Sequence, residues 1–410
     1  YDNNLTGNLP VSMSRLENLE VCELYENRLS GEVPEEVSNM WQIWDPFTMI
    51  LPQQEGYKLT TKALYSSTDY SKDGEVQLLQ KHTEGNGIPV VLLGDAFIDK
   101  DMESEGFYER TMQRAMEAYF SIEPMTSLRP LFDVYSIKCV SENNYLGANT
   151  ALSSSYCDSS IGEEVDITLN KCTKYASLAL EDLKDVQIKV IINNQQQLGL
   201  TWYLGDGCTL TYNTLFDRGL EWQNFEAVFR HETGHGLGFL EDEYDGHLLP
   251  IYEETKERIR SEQMLGQWLN VDFTQNPSEV LWSKFILDQR YKNEDLGIYE
   301  GAVGFTHGVY RPSFNSIMRY NEPIFNAPSR EAIYKRAMKL AYGENWKYDY
   351  EEFVKFDEKS RNAASRAVFK PLTEEEQKEY IKNHRPPRFI KGTWRDAMKN
   401  GKSNIVVPLR

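Results

Sequence analysis

Ile88-Pro-Val-Val-Leu-Leu93 is an apolar run with no polar alternation, followed by Gly94-Asp95. A strand with one wet face alternates apolar and polar residues, so an unbroken run of this kind fits a strand buried on both faces. Gly94-Asp95 is read as the turn that ends it. A strand covered on both sides needs helices above and below, and the chain supplies them. Gly106–Phe120 has helical spacing at Phe107, Met112, Met116 and Phe120; Leu131–Cys139 and Val186–Ile192 read as further strands, and Tyr175–Leu183 reads as helical. Strand, helix, strand, helix, strand is the order of an α/β sheet.

The chain has 410 residues, 40% hydrophobic and 12% aromatic, which is enough for two or three cores at roughly 100–200 residues per domain. Its 44 Lys and Arg against 63 Asp and Glu leave a net charge of −19. Such a surface repels phosphate backbones and anionic lipid headgroups, so nucleic acid is excluded as the expected partner. No segment approaches the roughly 20 apolar residues of a membrane span. The best, Ile88–Ile98, is broken by Gly94 and Asp95. Five cysteines, Cys22, Cys139, Cys157, Cys172 and Cys208, stand far apart without a CxxC pair. That argues against a thiolate metal site and leaves at least one thiol unpaired within the chain. The start, Tyr1-Asp-Asn-Asn, has neither the Met nor the basic segment of a signal peptide, so residue 1 is not expected to be the natural beginning.

Residues 1–40 contain an internal echo. Leu5, Gly7 and Pro10 return as Leu29, Gly31 and Pro34, each 24 residues later, with Leu16, Leu19, Val21 and Leu24 between them. The pattern resembles a leucine-rich repeat of the LxGxIP type. About one and a half turns cannot form a solenoid alone, so further repeats are expected to precede it. Residues 41–87 read as a connector with short strands, such as Tyr57–Tyr65. Residues 88–342 read as the main domain. Residues 343–410 read as a polar, aromatic and helical tail packed on it, with a capping box at Thr373–Glu376 and a stop at Pro386-Pro387. No chemistry is read in that tail.

Phe225-Glu-Ala-Val-Phe-Arg-His-Glu-Thr-Gly-His235 puts Phe225, Val228 and Phe229 on one helical stripe and sets His231 and His235 four residues apart. That spacing places both imidazoles on one face, one turn apart, where two nitrogens can reach one zinc ion. In this HExxH arrangement Glu232 lies too far round the helix to ligate, and it is the candidate to take a proton from a metal-activated water. Gly236 and Gly238 are expected to let the helix end with positive φ, so that the chain turns back toward the metal. Glu241-Asp242-Glu243 follows, and one of the three is the candidate third ligand. His247 and His307 are further candidates. Downstream, in Asn315-Ser-Ile-Met-Arg-Tyr320, Met318 is the expected apolar floor under the zinc and Tyr320 the candidate partner of a developing oxyanion.

His231-Glu-Thr-Gly-His-Gly-Leu-Gly-Phe-Leu-Glu-Asp-Glu-Tyr244 resembles the HExGHxxGxLxDEY signature of the bacterial IgA-peptidase family of zinc metallopeptidases, metallopeptidase family sixty-four, a metzincin-like group. Val91–Phe97, Phe132–Tyr135, Glu300–Ala302, Gly308–Pro312, Ser316–Tyr320 and Phe325–Arg330 resemble further blocks of that family, in order. The resemblance implies an α/β, metzincin-like peptidase domain with a mixed sheet and an active-site helix. It implies one Zn2+ and a protein or peptide substrate. It also implies secretion or exposure at the surface or in the periplasm of a bacterial cell, with immunoglobulin as a candidate target. The family's Asp-Glu-Tyr falls on Asp242-Glu243-Tyr244 and so favours Asp242 as the third ligand, whereas metzincin spacing would choose Glu241. The alternative function is a leucine-rich-repeat binding protein whose peptidase unit is a catalytically weak scaffold. Intact His231, Glu232, His235 and Met318 weigh against it.

Overall fold

A computed structural model describes residues 66–399 apart from 145, 147–148, 160–161, 195–198, 221–222, 322–323 and 367–371, together with pieces between residues 6 and 50 and residues 406–407. Its centre is an eight-stranded mixed sheet. The strands are β1 (Val76–Gln80), β2 (Ile88–Asp95), β3 (Phe132–Ile137), β4 (Gln187–Ile192), β5 (Gly199–Leu204), β6 (Thr209–Thr214), β7 (Arg388–Ile390) and β8 (Val406–Val407). They lie in the order β8-β7-β5-β6-β4-β2-β3-β1. β6, β4, β2 and β3 are mutually parallel, while β5 runs antiparallel to β6 and β1 antiparallel to β3.

The apolar run behaves as its composition requires. Ile88, Val90 and Leu92 enter a core built with α1 (Phe107–Tyr119), α3 (Phe225–Gly238) and α4 (Ala327–Tyr342). Val91 and Leu93 enter the opposite core with Leu169, Cys172 and Ala176 of α2 (Leu169–Ala176). Alternate side chains of one strand therefore feed two layers, and burying each is worth roughly 1.5–3 kcal/mol. β2 also continues through Gly94 and Asp95, where a turn was expected. Asp95 is fully buried and accepts the backbone N–H of Leu152 and of Ser154, so its carboxylate organises the crossing loop from inside.

The second helix lies earlier than Tyr175–Leu183. It closes at Ala176, and the following residues carry an exposed Leu178 before Leu183 and Val186 are drawn inward to start β4. Helix propensity in Leu-Ala-Leu-Glu is weaker than the burial that feeds the next strand. The sheet also reaches into the expected connector, because Val76–Gln80 pairs with β3 at its edge. Within residues 1–50, Thr6–Gly7 pairs in parallel with Arg28–Leu29, and Thr48–Ile50 pairs with both Val21–Glu23 and Gln42–Trp44. Several of the leucines that define the repeat, and Tyr57–Tyr65, lie outside the described residues.

The tail is part of the main body. Thr373 caps α5 (Glu374–Asn383) through the expected capping box with Glu376, β7 adds to the sheet beside β5, and Trp394 is buried in the core shared with α2.

Candidate metal centre

Helix α3 begins at Asn224, whose side chain accepts the N–H of Ala227, and ends at Phe239, which adopts the left-handed conformation with φ 48°. The expected positive-φ glycines are instead inside the helix. Gly238 is needed for closeness: a Cβ there would stand 2.8 Å from Ile333 Cγ1 of α4. α3 is thus sandwiched between α4 and the sheet, and His231, Glu232 and His235 are fully buried.

The i,i+4 pair meets as the spacing requires. His231 Nε2 lies 3.1 Å from His235 Nε2, and Asp242 Oδ1 lies 3.1 Å from the first and 3.3 Å from the second. Each ring is held from behind: His231 Nδ1 is 2.9 Å from the carbonyl of Ile317 and His235 Nδ1 is 2.6 Å from that of Leu240. A carbonyl accepts only, so each Nδ1 is a donor and Nε2 is the nitrogen left to face the cluster and bind a metal. Two imidazole nitrogens and one carboxylate oxygen, mutually within 4.8 Å, form a donor set suited to a divalent metal. The negative charge of Asp242 overcomes the burial that disfavours a charged imidazole and raises His235 to about 9. Those same imidazoles overcome burial at Asp242 and hold its carboxyl well below the usual range.

The acidic triplet divides its work, and all three residues are buried. Asp242 faces the histidines. Glu241 turns away and accepts the N–H of Asp242 at 3.0 Å, with its own N–H bonded to Asn270. Glu243 accepts from Asn270, Ser316 and Asn326, tying three loops together, and burial raises its carboxyl. His307 is exposed beside Glu300, away from the cluster, and the side chain of His247 lies outside the described residues.

The Ser316–Tyr320 segment passes under α3. Ile317 supplies the carbonyl for His231, and Met318 is fully buried with its sulfur against Gly234, where a Cβ would come within 2.5 Å. Tyr320 is buried too, with the Tyr380 ring at 5.3 Å and the Arg319 guanidinium at 4.6 Å from its ring.

Beneath Glu232 the sheet is polar. Lys189 of β4, Thr211 of β6 and Thr201 of β5 are register partners, side by side on neighbouring strands. Thr201 Oγ1 donates to Glu232 Oε2 at 2.7 Å, and Lys189 Nζ donates to the Glu232 carbonyl at 3.4 Å. Glu232 Oε1 has no hydrogen-bond partner among the described residues. Burial raises the Glu232 carboxyl and lowers Lys189 to about 7.

Tyr380 and His384 were missed by the reading of the tail. Their rings stack at 3.6 Å, the Tyr380 hydroxyl is 3.5 Å from His231 Nδ1, and the His384 ring lies 5.0 Å from that of His231. Burial and the neighbouring His231 hold His384 well below its usual range. Their own i,i+4 spacing, and the scarcity of histidine at six in the chain, were the available signals.

Residues 76–290 match the family model described as IgA Peptidase M64. That stretch contains the sheet from β1 to β6, helix α3 and all three residues of the cluster. No curated protein matches the chain.

Proposed function

The chain belongs to the IgA Peptidase M64 family and is a metallopeptidase, and from that premise we propose that it is a secreted or surface-exposed zinc endopeptidase acting on protein substrates. The observation that carries the reading is the convergence of His231, His235 and Asp242 on one point, with both Nδ1 atoms tied to carbonyls. Three protein ligands leave a fourth position open, the pattern of catalytic rather than structural zinc. When bound, zinc would polarise the scissile carbonyl and lower the pKa of a water to roughly 7.

The remaining steps belong to the chain. Glu232, buried and anchored at Oε2 by Thr201, takes a proton from the attacking water at its other oxygen and passes it to the leaving amine. Its raised carboxyl suits a base that must later act as an acid. Thr201 positions that base. Tyr320 is the proposed donor to the oxyanion, and the Tyr380 ring packs edge-on beside it. The leucine-rich-repeat-like segment is proposed to hold a partner or the substrate, with immunoglobulin as one candidate.

Glu232→Gln tests the assignment. It should retain about one zinc per chain while losing at least about a hundredfold in cleavage, since general-base catalysis contributes about 10²–10⁴ in rate. Activity within a few-fold of wild type would remove Glu232 from the chemistry, and loss of metal would make it a ligand.

A further inference from the structure

An endopeptidase must bring a backbone carbonyl of another protein within about 3–3.5 Å of the attacking group. Here His231, His235, Asp242 and Glu232 are all fully buried. The cover on one side is the tail. Leu372 and Tyr380 pack with Tyr244 and Tyr320 into a small apolar cluster, with Ile381 against it. His384 lies against the His231 ring, and β7 lies along β5, with Trp202 opposite Arg388, Tyr203 opposite Phe389 and Leu204 opposite Ile390.

Two features of the pairing bear on how firmly this cover is held. β7 contributes three residues to its pairing with β5, whereas β4 and β2 share six. β7 also occupies the edge of the strand that carries Thr201, the anchor of Glu232. Adding a strand to a sheet edge is how an extended peptide is commonly held, so an incoming segment and β7 compete for one set of backbone groups.

We propose that residues 372–390 form an intramolecular cap, displaced from the metal centre when an extended protein segment enters and takes over the β5 edge. The proposal rests on the metallopeptidase reading for the identity of the entrant, while the opening itself is a property of this chain alone.

The test uses the full chain. In metal-free protein, backbone amides of residues 374–390 should exchange hydrogen through a partial opening that leaves β4 protected. Exchange of both only through the same global unfolding would overturn the cap. A second arm pins it. A Cβ on Gly246 would lie 3.0 Å from Ile381 Cγ2, a separation compatible with a disulfide in Gly246→Cys/Ile381→Cys. The oxidised protein should release zinc to excess chelator, and cleave unfolded casein, at least about tenfold more slowly than after reduction with a phosphine, because closing a binding-competent population lowers apparent access by the same factor. Tyr380→Ala should accelerate zinc release by a similar factor. Equal zinc release in pinned and reduced protein would show a fixed wall and overturn the cap. Zinc release that responds to the pin, with no cleavage by any form, would sustain the cap and sink the peptidase reading; cleavage untouched by the pin would do the opposite.

Discussion

Gly234→Ala sets two known effects against each other. Alanine is favoured over glycine inside a helix by about 0.8–1.0 kcal/mol, so propensity alone predicts stabilisation. The added Cβ, however, would stand 2.5 Å from Met318 Sδ and 2.9 Å from Phe325 Cε1. Carbon contacts relax to about 3.5–4.0 Å, so both neighbours must retreat by roughly an ångström. Met318 and Phe325 are buried in the same core, where overpacking costs about 1–3 kcal/mol. Setting the propensity gain against the overpacking cost leaves a net destabilisation of up to about 2 kcal/mol in urea unfolding of the metal-free protein. A second readout follows from chain connectivity. Ile317 holds His231 by its carbonyl, and Met318 holds the N–H of Glu243, so pushing Met318 down loosens the histidine. Zinc affinity by chelator competition should fall about tenfold to a hundredfold, the usual effect of disturbing a ligand's support. In a double-mutant cycle with Met318→Ala, the pair should cost less than the sum of the singles, with a coupling of about 0.5–3 kcal/mol. A Gly234→Ala protein as stable as wild type, with unchanged metal affinity, would refute the packing of Met318 against this helix.

Asp242→Asn should weaken zinc binding about tenfold or more, because a neutral amide donates less charge, while Glu241→Gln should change it little; the opposite ranking would transfer the ligand role to Glu241. Tyr320→Phe should lower kcat by about tenfold to a thousandfold with KM and metal content held, if the phenol acts in the transition state, and unchanged kinetics would reject that role. Lys189, lowered to about 7 in the fold, has lost a proton that the unfolded chain still binds up to about 10.5. Wild-type stability should therefore rise relative to Lys189→Met between pH 7 and 10, by at most about 1.4 kcal/mol per pH unit, and a pH-independent difference in urea unfolding would contradict the buried, neutral amine.

The parts legible in the sequence were those with short-range signatures. Ile88–Leu93 announced its doubly covered strand through the absence of alternation, and α3 announced its metal-facing side through spacing alone. Asp242 needed the family resemblance, since three adjacent carboxylates share one composition and differ only in which way the backbone turns after Phe239. Thr201 and Lys189 gave no signal, because a polar side chain beneath a buried helix looks in sequence like the wet face of a strand. The reach of Tyr380 and His384 to His231 is a contact across roughly 150 residues of chain, as the separation of 149 between Tyr380 and His231 records, and local pattern carries nothing of it.

The polar row under α3 has a mechanical meaning. A helix resting on leucines and valines can slide or roll by a fraction of a turn and trade one apolar contact for another. A helix whose carbonyl at Glu232 meets Lys189, whose carbonyl at Gly236 meets Thr209 and whose carboxylate meets Thr201 has no equivalent neighbouring position. Moving along by one residue shifts each partner by 1.5 Å and turns it about 100° round the axis, out of hydrogen-bond reach. The row therefore works as an index mark, fixing the rotation of the helix about its own axis and with it the aim of both imidazoles. Its members come from three strands, so that aim is inherited from the sheet: a one-residue slip of β5 would point Thr201 to the other face and leave the base unanchored.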